Sequence, residues 1–209
     1  TFLGVNEDDG LTWRLQWVAD AQTRPVGFGA NNPAAAVDAD GNVYVAWTGA
    51  DWQHWVARSR DKGFTWSEPM LVAPDVRSTT FPLLMAGSAG RVATAFLGTR
   101  DTDLGPDLAP PEARWHLFAA FSDDAGATAP TWRVVQLTPD SDPVMMGCIG
   151  RHGHTCPNEN LLDFNGIALT PDGRVVISYT DGCAACTLQS DSTSSAGWVA
   201  VQVAGDALR

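Results

Sequence analysis

The residues best equipped for chemistry crowd into the last third of the chain. Cys148 and Cys156 form a C-x7-C pair, Cys183 and Cys186 a C-x2-C pair, and His152 and His154 lie inside the first. Two disulfides, most simply Cys148–Cys156 and Cys183–Cys186, would staple long loops that have no core of their own. Four thiolates, or thiolates joined by His152 or His154, would instead make a tetrahedral zinc site. The C-x2-C spacing suits a metal and the C-x7-C spacing suits it poorly, so disulfides are the expectation and zinc the rival. Both histidines read as exposed loop residues.

The same stretch carries Glu159, Asp163, Tyr179 and Asp181. Asp163 and Asp181 on neighbouring strands would supply the carboxylate pair of a glycoside hydrolase. The plainer role for each is bonding to loop backbone. Tyr179 ends a strand two residues before Asp181, and core packing is its plain role. Tyr44 reads as core. Arg24, Arg77, Arg100, Arg114 and Arg151 are spread over the chain. Guanidinium groups bind carboxylates in bidentate fashion, against the ordinary reading of surface ion pairs. Asp101 and Asp103 could approach a structural calcium, but no complete calcium loop surrounds them.

The chain that must position these groups has 209 residues, enough for a substantial core. Charged residues are 18% and hydrophobic ones 44%, a globular balance. Twenty Gly, 13 Pro and 9 Trp point to an all-β protein with many turns. A net charge of -11, with Lys62 the single lysine, excludes ordinary phosphate-backbone binding to nucleic acid. It also disfavours anionic membranes. No apolar run reaches the roughly 20 residues of a membrane span. Thr1 opens neither a signal peptide nor a start codon's Met, so a processed chain or a piece of a longer one is expected.

One motif repeats. Ser59-Arg60-Asp61-Lys62-Gly63-Phe64-Thr65-Trp66 fits S-x-D-x-G-x-T-W at every fixed position. Asn6 to Trp13 fits it with Asn6 in place of Ser, through Asp8, Gly10 and Trp13. Ser122, Asp124 and Gly126 begin a third copy that Thr131 and Trp132 finish after an insertion. Such a segment suits a hairpin loop. Asp and Ser side chains bond nearby N–H groups, Gly supplies a positive φ, and Trp starts the next strand where it can pack between sheets.

Between the motifs a strand–turn–strand pattern recurs: 34–37 with 43–47, 82–86 with 91–97, and 167–170 with 174–179. A third strand leads into each motif (54–59, 115–122) and a fourth leaves it (66–72, 132–137). No segment keeps a 3.6-residue period long enough for a helix. Four antiparallel strands per unit make a β-propeller blade. The units fall at about 1–20 (an end only), 32–74, 80–138 and 165–205, the last lacking its fourth strand. Missing sequence or another chain is expected to supply the remaining blades, since open sheet edges invite pairing.

The repeat resembles the Asp-box, or BNR repeat, of sialidase-like propellers, and the likeness in fold covers nearly the whole chain. The Cys-bearing loop followed by Asn160-Leu161-Leu162-Asp163-Phe164, Pro171-Asp172-Gly173 and Tyr179-Thr180-Asp181-Gly182-Cys183 resembles secreted bacterial exo-α-sialidases. The resemblance implies six blades, secretion, and a glycan or glycoprotein as substrate or ligand. It places the boxes opposite the active face, which the loops 21–32, 49–53, 75–80, 99–114, 139–165 and 181–195 would form. It implies an arginine clamp for a carboxylate, drawn from Arg24, Arg77, Arg100 and Arg151. It also implies a Tyr nucleophile with a Glu, Tyr179 and Glu159, and an Asp acid/base, Asp163 or Asp181. The family's Arg-Ile-Pro motif is absent, and Thr23-Arg24-Pro25 echoes it only faintly. That departure leaves a non-catalytic propeller binding glycan or protein as the alternative.

Overall fold

The computed structural model describes residues 1–19, 33–150, 156, 161, 165–182 and 195–209. These form an all-β chain of antiparallel sheets. The first sheet pairs β1 (Phe2–Val5) with β2 (Arg14–Trp17). The second runs in order through β3 (Ala34–Val37), β4 (Val43–Thr48), β5 (His54–Ser59) and β6 (Met70–Leu71). The third runs through β7 (Ser78–Ala86), β8 (Val92–Thr99), β9 (Arg114–Ser122) and β10 (Arg133–Gln136), and β11 (Met145–Met146) also pairs with β9. The fourth is β12 (Gly166–Leu169), β13 (Val175–Asp181) and β14 (Ala196–Val201). No helix among the described residues is long and apolar enough to cross a membrane.

The middle sheets are apolar on both faces, as nearly unbroken runs such as VYVAWT and VATAFLGT require. Alternation sends Tyr44, Ala46 and Val56 toward the third sheet, where Leu84, Val92 and Ala120 meet them. Val45, Trp47 and Ala57 point the other way, onto Leu3, Val18 and Trp66. From the third sheet Ala93, Ala95, Leu97, Leu117 and Ala119 face Val175 and Ile177 of the fourth. Burial of several such side chains, each worth about 1.5–3 kcal/mol, is the main force stacking sheet on sheet.

Strand limits differ from the sequence reading where proline intervenes. The strand expected over 66–72 shrinks to Met70–Leu71, because Pro69 has no N–H to give the ladder. Conversely β7 begins at Ser78, not Pro82. Ser78 to Thr80 pair with Thr99 to Leu97 before a bulge at Phe81 and Pro82, where Phe81 takes φ 54°.

The three boxes fold as local side-chain cages. In the second, Asp61 accepts from Thr65 N–H (2.8 Å) and Oγ1–H (2.6 Å), while Ser59 Oγ accepts from Gly63 N–H (2.8 Å). Asp8 holds Thr12 in the same way, with Asn6 Oδ1 receiving Gly10 N–H at 2.7 Å. The bonds from Thr65 draw the Asp61 carboxyl down to about 2. Gly10 and Gly63 have φ 89° and 92°. In the third box Asp124 still receives Thr131 N–H at 2.8 Å, but Gly126 does not take a positive φ, because residues 127–130 give the loop another path. Trp66 and Trp132 pack between sheets. Trp13 differs: it is 65% exposed and lies against Gly4 on the outer side of the first sheet.

Two residues outside the motif tie the second sheet to the third at the box end. The buried Asp38 carboxylate accepts Asp40 and Asn42 N–H at 3.0 Å, Tyr44 O–H at 3.0 Å and, from the neighbouring sheet, Gly90 N–H at 2.9 Å. Burial pushes its carboxyl up, and the bonds from Gly90, Asn42 and Tyr44 more than offset that and hold it low. Arg58 donates to the Gly126 carbonyl and to Ala127 O at 2.7 Å in the third box. Replacing Asp38→Ala strands several buried donors at once and should cost about 3 kcal/mol in urea unfolding, against about 1 kcal/mol for Tyr44→Phe. Equal, near-zero effects would contradict the tie.

Candidate functional site

At the end opposite the boxes the loops are sewn to one another. Trp52, in the β4–β5 loop, receives Thr79 N–H at 2.8 Å and lays its ring on Gly105, where a Cβ would sit 2.4 Å from the indole. Pro106 O receives Ile149 N–H at 2.8 Å, and Ala113 O receives Gly147 N–H at 2.8 Å. Trp115 Nε1 donates to Gly147 O at 2.8 Å. Val144 N–H donates to Trp115 O, and Val144 O takes Gly182 N–H at 3.0 Å. The β4–β5, β8–β9 and β11 segments therefore form one platform that reaches the end of β13. A disulfide joins Cys148 to Cys156, with Cα atoms 5.9 Å apart, and fastens the platform's last stretch. That is one of the two expected pairs. Cys183 and Cys186 lie outside the described residues, as do His152 and His154.

Of the expected catalytic groups, Tyr179 and Asp181 are two apart on β13 and so share a face. Tyr179 is half-buried and stands opposite Trp198 of β14. Burial raises its phenol above the ordinary value, and the carboxylates of Asp181 and Asp142 raise it further. Asp142 lies on the platform two residues before Val144, which explains how it comes near the end of β13. Sequence reasoning missed Asp142 and Trp198: each is an ordinary loop or strand residue until β11 and the β13–β14 register are known. Glu159, Asp163, Arg24 and Arg151 lie outside the described residues.

The remaining arginines are engaged separately. Arg77 faces Asp103 at 3.5 Å. Arg100 binds Asp75 at 2.8 Å and Gln136 Oε1 at 2.6 Å, and stacks 4.8 Å above the Phe118 ring. Arg114 takes both oxygens of Asp101, at 3.1 and 3.2 Å. Arg77 and Arg100 thus stand at the same end of the third sheet without sharing a carboxylate. Pairs this exposed contribute about 0–1 kcal/mol each. Among the described residues no group of three His, Cys, Asp or Glu side chains could hold a metal ion.

Beneath Arg100 an aromatic column runs between the second and third sheets. His54 stacks on Phe96 at 4.3 Å, Phe96 on Phe118 at 5.7 Å, and His116 meets Phe118 edge-on at 6.4 Å. His54 is fully buried, with Nε2 2.8 Å from Thr94 Oγ1 and, among the described residues, no partner for Nδ1. Desolvation pushes it down to about 3. Burial also lowers His116, against the pull of Asp140.

No protein-family model matches the chain, and no curated protein matches it. Solved structures do. A protein of unknown function from Dyadobacter fermentans is 17% identical over 86% of this chain, with a TM-score of 0.50. The intramolecular trans-sialidase of Ruminococcus gnavus is 14% identical over 84%, with a TM-score of 0.47. An α-L-arabinanase of Penicillium chrysogenum is 17% identical over 78%, with a TM-score of 0.46. The chain spans 41%, 32% and 44% of those three, less than half of each. The first likeness is one of fold.

His54 sets a direction for pH. Its folded-state pKa lies below the unfolded value of about 6.5, so the unfolded chain gains the proton first as pH falls. Stability is full above pH 6.5 and declines toward pH 3, at up to about 1.4 kcal/mol per pH unit. The buried His116 adds in the same sense. Urea midpoints between pH 7 and 5 should fall for the native chain and fall much less for His54→Phe. An unchanged slope in the variant would refute the assignment.

Proposed function

We propose that this chain is part of a secreted, sialidase-like Asp-box β-propeller that hydrolyses glycans. Its sheets would be blades of one ring, approximately 1–20, 32–74, 80–138 and 165–205, completed by further sheets packed on the exposed faces of the first and fourth. The observation that carries the reading is the placing of Tyr179, Asp181 and Asp142 at the loop-laced end, opposite three Asp-box hairpins. A carboxylate beside a phenol can take its proton as the oxygen attacks, and a second can serve as acid. The exposed Trp198 beside Tyr179 offers an apolar face of the kind sugar rings stack on. The disulfide suits an oxidising compartment.

A non-catalytic glycan- or protein-binding propeller is the second reading. The separate pairing of Arg77 with Asp103 and Arg100 with Asp75 favours it, because a carboxylate clamp needs converging arginines.

Cleavage of a fluorogenic sialoside separates the two. The catalytic reading expects turnover that falls about 100-fold or more in Tyr179→Phe and in Asp181→Ala, a loss of the size general acid–base and nucleophilic groups give. Glycan-array binding without turnover would select the second reading. Neither turnover nor binding would refute both.

A further inference from the structure

We infer that Trp52, with Arg77 and Asp103 beside it, is a contact site for one uncharged sugar ring of a glycan, separate from the groups around Tyr179. The inference rests on the reading of the loop-laced end as a glycan-contacting face, and it holds for a catalytic and a non-catalytic chain alike.

The backbone of Trp52 is the first sign. It takes φ 63°, a left-handed conformation that bulky side chains rarely adopt. The surroundings hold it there. Its N–H donates to Gly49 O at 3.0 Å, and its carbonyl receives Thr79 N–H at 2.8 Å and Thr79 Oγ1–H at 2.9 Å. The Asp51 carboxylate braces the same loop by accepting Gln53 N–H and Trp55 Nε1–H, each at 3.1 Å. Two glycines leave room for the arrangement. A Cβ on Gly49 would lie 2.4 Å from Asp51 Oδ1, and one on Gly105 would lie 2.4 Å from the Trp52 ring. A strained residue held by this many partners is the kind found where a side chain's position serves a ligand.

Core packing does not account for that position. Trp47 and Trp115 fill the core at 6% and 0% exposure. Trp52 is half-buried and, among the described residues, belongs to none of the apolar clusters that join the sheets.

The polar groups around the ring supply the rest of the chemistry. Gln53 follows Trp52 in the chain and donates through Nε2 to Arg77 O at 2.8 Å. Arg77 faces Asp103 at 3.5 Å, and Asp103 stands two residues before the Gly105 that the ring covers. Both charged side chains are exposed, and at that separation they keep donors and acceptors turned to water. An indole face suits the C–H side of a sugar ring, and a planar carboxylate beside a guanidinium suits its hydroxyls. Because Asp103 already balances Arg77, the pair favours a sugar without a carboxylate of its own.

The test places the intact chain, Trp52→Leu and Asp103→Ala on a printed array of neutral and sialylated oligosaccharides. Urea midpoints confirm that each variant is folded. Asp103 is half of an exposed pair, so Asp103→Ala keeps the fold even where Trp52→Leu does not. Binding to neutral glycans should fall about tenfold or more in each folded variant, the loss that truncating a central contact gives. Binding that neither variant weakens would overturn the inference and leave the glycan reading standing. A loss in Trp52→Leu with none in Asp103→Ala would make the indole a structural pin and overturn it too. So would a loss in Asp103→Ala with none in a folded Trp52→Leu. Binding to sialylated glycans alone would overturn the choice of an uncharged ring. No binding by the native chain would overturn both the inference and the reading beneath it.

Discussion

Each strand at the heart of the second and third sheets has an apolar surface to satisfy on both sides, and everything else in the molecule follows from that requirement. A sheet with two apolar faces cannot end a structure; it must lie between two others. Small side chains such as Ala46, Ala57, Ala93, Ala95 and Ala119 let neighbouring sheets approach, and Trp47, Phe96, Phe118 and Trp115 fill what remains. The stack ends in faces that are only partly covered. Leu15 and Trp17 stay exposed on the first sheet, Val199 and Val201 on the fourth.

Stacking fixes position along the sheet normal but leaves sliding and rotation open. The two ends of the stack close those freedoms differently. At the box end, Asp38 and Arg58 reach from one sheet to backbone groups of the next, a charge-assisted connection that keeps adjacent turns in register. At the other end, main-chain bonds among loops do the work, through Trp52, Pro106, Ala113 and Val144. Short, self-caged hairpins hold one end firm, so long segments at the other can carry Asp142, the Cys148–Cys156 disulfide and the approach to Tyr179 and Asp181.

Much of this architecture could be read from residues alone because its signals are local. The cages at Asp8, Asp61 and Asp124 involve atoms within a few residues of each other, and strands such as 54–59 show their alternation directly. The box spacing even anticipated the positive φ of Gly10 and Gly63. What escaped was non-local. That Gly90 N–H would meet Asp38, that Val144 would bring Asp142 toward β13, and that Trp13 would face outward all depend on which sheets become neighbours. Pro69 and the Pro82 bulge moved strand limits for a local reason, the missing N–H, whose result depends on the partner strand. The candidate site was half legible. Tyr179 and Asp181 share a face by alternation, whereas the separate ion pairs of Arg77 and Arg100 come from loop partners far along the chain.

Burial on two faces leaves a signature in the order in which the sheets open. Native-state amide exchange read strand by strand reports it most directly. If stacking is what holds the molecule, the amides of β4, β5, β8 and β9 exchange slowest and as a group, while those of β2 and β14, each with an uncovered face, exchange far faster. Exchange at β2 or β14 as slow as at β8, or independent opening of β4 and β8, would contradict it.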